Sequence, residues 1–199
     1  MERVGSQNPS YDFASLYGTA DAGVLGNETP LSICIRQFLS QNPDAARNLF
    51  GESRLPTLVQ YDPLNRFFEV IPNSPDSNNQ GIERGTLLFS GDIGIPLVRY
   101  NILDNGGIIT YDAMLQFLSE WGFNPVEILS NQRGIRNLPF VFVFGRSNFT
   151  ISYFGANIYP ENIKVCLEQP VNSDWVTGKF VMQIQEDADK NSLLSVVVE

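Results

Sequence analysis

Apolar residues in this chain come in short runs, each closed by glycine, proline or small polar residues. The stretch Phe140–Pro160 shows the pattern most sharply. One run, Phe140 to Phe144, ends at Gly145-Arg146. A second, Phe149 to Phe154, follows Ser147-Asn148 and ends at Gly155. Both are aromatic and β-branched, which predicts strands. The joint between them reads either as a plain hairpin turn or as a hinge between two parts of the chain.

The same reading extends in both directions. Phe13 to Tyr17 predicts a short strand. Gly18, Gly23 and Gly26 then punctuate a stretch carrying Thr19, Asp21, Asn27 and Glu28, where spacing favours an ordinary connection over a ligand-presenting loop. Leu31 to Phe50 is helical, with Pro43 opening a second segment at its first turn. Leu58–Tyr61 and Arg66–Val70 flank Asp62-Pro63-Leu64-Asn65 and predict a β-hairpin. Asn73–Gln80 reads as a polar surface loop. Gly85–Ser90 and Ile95–Asn101 are strands, and Asp104-Asn105-Gly106-Gly107 reads as a turn. Tyr111–Trp121 is an amphipathic helix capped by Thr110 or Asp112 and stopped by Gly122. Pro160 opens a helix through Leu167, which Pro170 ends. Trp175–Gln185 and Leu193–Val198 predict two antiparallel strands around the charged turn Glu186–Asn191. The fold class expected is mixed α/β (α+β): a strand-rich region up to about Arg146, then a smaller β–α–β–β unit. The boundary falls at Arg146–Asn148. The chain starts just before a strand and ends on one, which predicts that both ends are cut.

Composition narrows the chemistry. The 199 residues leave room for one domain or two small ones, and 43% hydrophobic content supports a packed core. The net charge is −9 and there is no histidine, which removes His-based triads, histidine general bases and His-ligated metals. An acidic balance argues against nucleic acid or an anionic membrane as the main partner. Cys34 and Cys166 are the only cysteines and form no C-x-x-C pair. They read as small apolar residues of a reducing compartment, ahead of a disulfide or a nucleophile. Met1–Ser10 is polar and resembles no signal peptide, and no apolar run approaches the ~20 residues of a membrane span. The expectation is a soluble cytoplasmic protein.

Three segments then acquire a joint meaning. Tyr17-Gly18-Thr19-Ala20-Asp21 resembles the Tyr-Gly-x-Thr/Ser-Glu motif of adenylate-forming enzymes. Ile95-Pro96-Leu97-Val98-Arg99-Tyr100 with Asp104 resembles their Leu-Pro-x-Ile-Arg-Tyr-x-x-x-Asp motif. Gly145-Arg146-Ser147-Asn148 with Gly155-Ala156-Asn157-Ile158-Tyr159-Pro160 resembles their Gly-Arg-Ser-Asp…Gly-x-Asn-Ile/Val-x-Pro motif. The order and spacing match the phenylacetate–CoA ligase and coenzyme F390 synthetase-like branch, from Phe13 to Leu167. The resemblance implies ATP-dependent adenylation of a carboxylic acid, then transfer to a thiol such as CoA. It implies that residues 1–146 are the C-terminal portion of a large AMP-binding domain and 147–199 a truncated small lobe. Tyr17 would pack on adenine, with Gly18 allowing close backbone approach. Thr19 or its neighbours would donate to the α-phosphate. Asp21 would help bind Mg²⁺, Asp104 the ribose hydroxyls, and Arg146 the ribose or phosphate. Ser147-Asn148 would be the hinge.

The departures bear on activity. Ala20 lacks the family's hydroxyl, Asp21 is a methylene shorter than its glutamate, and Asn148 replaces its hinge acid. The family's phosphate loop and its lysine-bearing terminal motif have no counterpart in this sequence. The expectation is roughly the second half of such a ligase, inactive without a complementary N-terminal chain. The alternatives are a non-catalytic remnant with weak or no nucleotide binding, and an interaction module that homodimerises. Taken singly, Asp104 also reads as a turn residue, and Arg99 and Tyr100 as strand packing with a surface ion pair.

Overall fold

The computed structural model describes residues 13–52, 54–72, 78–79, 82–93, 95–129, 135–146, 151–153, 156–169, 171–172, 175–186 and 191–199. Up to Gly145 the chain forms one unit, and from Arg146 another. In the first unit the strands are β1 (Leu16–Thr19), β2 (Gly23–Asn27), β3 (Thr57–Gln60), β4 (Arg66–Pro72), β5 (Asn78–Asn79), β6 (Ile82–Ile93), β7 (Ile95–Ile109) and β8 (Phe140–Arg146). The helices are α1 (Pro30–Gln41), α2 (Pro43–Phe50), α3 (Tyr111–Glu120) and α4 (Pro125–Ile128).

Local chemistry sets the helix ends. Thr29 caps α1: its side chain accepts from the Ser32 amide, and Ser32 Oγ accepts from the Thr29 amide at 2.8 Å. Pro30 and Pro43 occupy first-turn positions, where a missing N–H costs nothing. Gly51, at φ 81°, closes α2 in the left-handed region. Arg84 of β6 donates to the carbonyls of Asn48 and Leu49 at that same helix end. Thr110, rather than Asp112, caps α3 by accepting from the Ala113 amide.

The strands of this unit form one large antiparallel sheet in the order β1-β2-β3-β8-β7-β6-β4, with β5 paired to β6. Two apolar clusters lie on its two faces. The helices supply Leu31, Ile35, Leu39, Leu49, Met114 and Leu118 to the first, against Leu58, Phe140 and Phe142. Tyr17, Leu25, Val59, Phe68, Phe89, Val141 and Val143 form the second. Strand β8 serves both: its phenylalanines go to the helical side and its valines to the other, as a period of two dictates. Burying a side chain such as Phe140 or Phe142 is worth about 1.5–3 kcal/mol.

Several expected elements differ. Asp104-Asn105-Gly106-Gly107 is not a turn but the interior of β7. Its glycines are there for close packing: a Cβ on Gly106 would lie 2.0 Å from the Phe142 carbonyl oxygen, and one on Gly107 1.9 Å from that of Glu83. The 62–65 turn forms, with Asn65 and Arg66 amides donating to the Asp62 carbonyl, but its flanking strands do not pair. Strand β3 pairs with β2 and β8, whereas β4 pairs with β6. The stretch after Tyr17 is largely strand rather than loop, and β1 starts at Leu16. Within the expected 73–80 loop, Asn78 and Asn79 pair with Glu83 and Ile82.

The second unit holds β9 (Ile151–Tyr153), β10 (Ala156–Ile158), α5 (Pro160–Leu167), β11 (Phe180–Glu186) and β12 (Ser192–Val198). It is therefore β–β–α–β–β rather than β–α–β–β. β9 and β10 form one antiparallel pair and β11 and β12 another, and the Tyr153 hydroxyl donates to the Ser192 carbonyl at 2.9 Å. β11 begins at Phe180, five residues later than the run from Trp175 suggests. The apolar runs on either side of Ser147-Asn148 belong to different sheets, so they do not form a hairpin. Ser147, Asn148 and Phe149 themselves lie outside the described residues, as do Phe154, Gly155, Pro170 and residues 187–190, where a turn is expected. No helix among the described residues is long and apolar enough to cross a membrane.

Candidate functional site: two crossed tyrosine–aspartate pairs

Strands β1 and β2 make a tight hairpin, and its sequence explains why. Thr19 Oγ1 accepts from the Ala22 amide at 3.0 Å, which closes the Ala20-Asp21-Ala22 turn. Gly23 takes a left-handed φ of 62° to rejoin the ladder. A Cβ on Gly18 would stand 2.4 Å from the Gly23 carbonyl oxygen, so the bare α-carbon of Gly18 is used by the hairpin itself. Ala22 is fully buried beneath the turn, while Asp21 is exposed at its tip.

Strand β7 supplies the other half. Ile102 packs into the second cluster with Tyr100 against it, and Asp104 is buried. Two non-glycine residues of β7, Arg99 and Leu103, have left-handed φ angles of 50° and 63°. The ladder with β6 slips at both places, as bulges do when they re-aim side chains. Each is supported. Arg99 donates its amide to Ser90 Oγ and pairs its guanidinium with Glu69 at 3.2 Å, and the Leu103 amide donates to Asn101 Oδ1 at 2.8 Å.

The hairpin and β7 then exchange hydrogen bonds. The Tyr17 hydroxyl donates to Asp104 Oδ2 at 2.9 Å, and the Tyr100 hydroxyl donates to Asp21 Oδ2 at 2.6 Å. Each segment contributes one tyrosine and one aspartate. Of the residues the sequence singles out, Tyr17, Gly18, Thr19, Asp21 and Asp104 are thus gathered at one place. The Arg146 side chain, Ser147 and Asn148 lie outside what is described. Tyr17 is 7% exposed and its ring lies near-parallel to Phe68, 6.3 Å away, within the second cluster. Asp104 is 8% exposed. Tyr100 packs edge-on against Phe89. Its role beyond packing is not visible in the sequence, because nothing local signals a partner 79 residues away. Arg99 does make the surface ion pair that its place on a strand suggests.

Among the described residues, no group of three or more Cys, Asp or Glu side chains could hold a metal ion. Asp21 alone could give Mg²⁺ one hard oxygen, which suits a metal whose remaining ligands are phosphate oxygens and water. A stand-alone metal site does not fit. The cysteines are free thiols. Burial pushes the Cys34 thiol up, away from the thiolate a nucleophile requires. Tyr61 is also pushed up, by burial first and then by the charge of Glu83.

Among the cavities lined by described residues of the first unit, two flank the 61–70 stretch. One, of about 480 Å³, opens between β2 and the 62–65 turn, with Arg66 and Arg136 in its wall. The other, of about 440 Å³, is lined by Tyr61, Phe68, Glu69 and Glu83 among others. Neither is lined by Tyr17, Asp21, Tyr100 or Asp104. No protein-family model matches this chain, and no curated protein matches it in sequence.

Proposed function

We propose that this chain contributes the ribose- and metal-facing part of a nucleotide site in an acyl-activating ligase of the phenylacetate–CoA ligase-like type. The observation that carries the reading is the crossed pairing of Tyr17 with Asp104 and of Asp21 with Tyr100. Two motifs far apart in the sequence, each pointing to the same chemistry, meet through their own marked residues. A carboxylate has about four lone-pair sites over its two oxygens. Asp104, held by Tyr17, is thereby oriented to accept from ribose hydroxyls. Asp21, held by Tyr100, offers one oxygen to a Mg²⁺ whose other ligands come from ATP. ATP would supply the adenylyl group for a carboxylic acid, and a thiol such as CoA would take the acyl group.

Titrating the chain with AMP and with Mg·ATP by calorimetry tests this. Saturable binding at millimolar nucleotide, weakened about tenfold or more by Asp104→Ala, is the expected result. Carboxylate-dependent ATP–pyrophosphate exchange, measured with a chain that supplies a phosphate loop, extends the test to catalysis. A second reading, a non-catalytic remnant, is favoured by the burial of the Tyr17 ring and by the use of the Thr19 hydroxyl within its own turn. Absence of saturable nucleotide binding selects it and overturns the first.

A further inference from the structure

The larger cavity differs in character from the rest of this acidic molecule. Among the described residues its lining includes two arginines, Arg66 and Arg136, and one acidic residue, Asp62. That carboxylate is engaged: Oδ1 accepts from the Leu64 amide at 3.0 Å and Oδ2 from Asn65 Nδ2 at 2.7 Å. The arginines are not engaged in kind. Among the described residues Arg66 donates to the carbonyls of Asn65 and Val24, and neither arginine has a carboxylate within ion-pair distance. The guanidinium of Arg136 has no hydrogen bond among the described residues. In a chain of net charge −9, two arginines with no acidic partner among the described residues line one space.

The cavity is also built rather than incidental. Gln60, 3% exposed, forms part of its wall. Its amide oxygen accepts from Thr29 Oγ1 at 2.6 Å, and its Nε2 donates to the carbonyls of Arg136 and Leu138 at 3.2 and 2.8 Å. Every polar atom of this side chain is spent on fixing the 136–138 segment over β3. The backbone of Arg136 is therefore held in place, while its exposed side chain has no hydrogen-bond partner among the described residues. Leu25 and Leu138 add apolar wall, and Asn27 adds a carboxamide. About 480 Å³ is within the range of small-molecule sites.

We infer that this cavity binds a small organic oxyanion, with its carboxylate or phosphate head between Arg66 and Arg136 and its body against Leu25 and Leu138. A guanidinium presents parallel N–H donors that match either head group. The inference does not rest on the nucleotide reading, since none of the crossed-pair residues lines this space.

The test uses the full chain and two probes, inorganic phosphate and benzoate, titrated separately by calorimetry at low salt. Saturation by at least one probe is expected, with affinity falling about tenfold or more in Arg136→Ala. Saturation by phosphate alone identifies a phosphorylated ligand, and by benzoate alone a carboxylate. Arg66→Lys keeps the charge but loses the fork and is expected to weaken binding as well. Arg66 also ties the 62–65 turn to β2, so Arg136→Ala is the deciding variant: that side chain is exposed and can be removed without unfolding. Binding unchanged in Arg136→Ala, or no saturation by either probe at millimolar concentration, overturns the proposal.

Discussion

The hydroxyl of Tyr17 reaches Asp104 Oδ2 at 2.9 Å across 87 residues of sequence, joining the first hairpin to the long strand β7. The bond is buried, and both residues lie almost wholly out of solvent. A hydroxyl bonded to a charged group in such a place contributes more than a surface one. Tyr17→Phe keeps the ring in its cluster and removes only the donor. It is expected to cost about 1.5–3 kcal/mol in urea unfolding. An unchanged midpoint would mean that the pair contributes nothing to the fold.

The glycines of β7 make a sharper case. Gly107→Ala would drive a methyl to 1.9 Å from the Glu83 carbonyl oxygen and 2.5 Å from the Phe142 ring. Backbone and a fully packed ring cannot yield cheaply, so a loss above about 4 kcal/mol is expected. Gly122→Ala meets nothing within 4 Å and suffers only from its φ of 70°. It should cost about 1–2 kcal/mol. Thermal unfolding of the two variants side by side checks the ranking.

Gln60→Ala removes hydrogen bonds to Thr29, Arg136 and Leu138 at once. A loss of about 2–4 kcal/mol is expected, the range of a broken buried network. The segment that Gln60 pins begins at an exposed arginine, so trypsin should cut after Arg136 faster in the variant than in the parent. Equal cleavage rates would show that the segment is held by other means.

The cysteines should separate by reactivity. Cys166 is exposed, whereas Cys34 is half-buried with its thiol pushed up by burial. A thiol reagent at neutral pH should modify Cys166 first, read by mass spectrometry of the two peptides. Faster labelling of Cys34 would contradict its placement against the helical cluster.

Alkaline pH should loosen the first unit through Tyr61. Its folded pKa is raised above the ordinary value, so the folded state holds its proton longer than the unfolded state does. The stability linked to this group is fully present below about pH 10 and is lost as pH rises through the raised value. Unfolding free energy should fall above about pH 10, and less steeply in Tyr61→Phe. An identical slope in both would show that Tyr61 does not set the alkaline limb.

The sequence revealed these features unevenly, for physical reasons. Helices α1 to α3 are legible because their signals are local: Pro43, Thr110 and Gly122 act on their own turns, as do Thr29 and Gly51, which only the structure identifies as caps. The runs of β3 and β8 are legible as strands, but their partners are not, since pairing depends on residues far along the chain. Asp62-Pro63-Leu64-Asn65 signals a turn and nothing about what the strands do next. Gly106-Gly107 misleads because glycine marks both turns and close backbone approach, and only the neighbouring β6 and β8 tell which applies. Of the candidate site, Tyr17, Asp21 and Asp104 are legible through motif resemblance. Tyr100 as a hydrogen-bond donor, the bulges at Arg99 and Leu103, and the Arg66–Arg136 cavity arise only from folding.

Strand β8 places phenylalanines in one cluster and valines in the other. Sliding it by one residue would push aromatic rings into space sized for valine and leave voids where the rings had been. Both cores would resist such a slip together, so the strand works as a key cut for two locks. Because β8 carries the chain to the end of the first unit at Gly145, the residue at which that unit ends is set by the same two-sided packing.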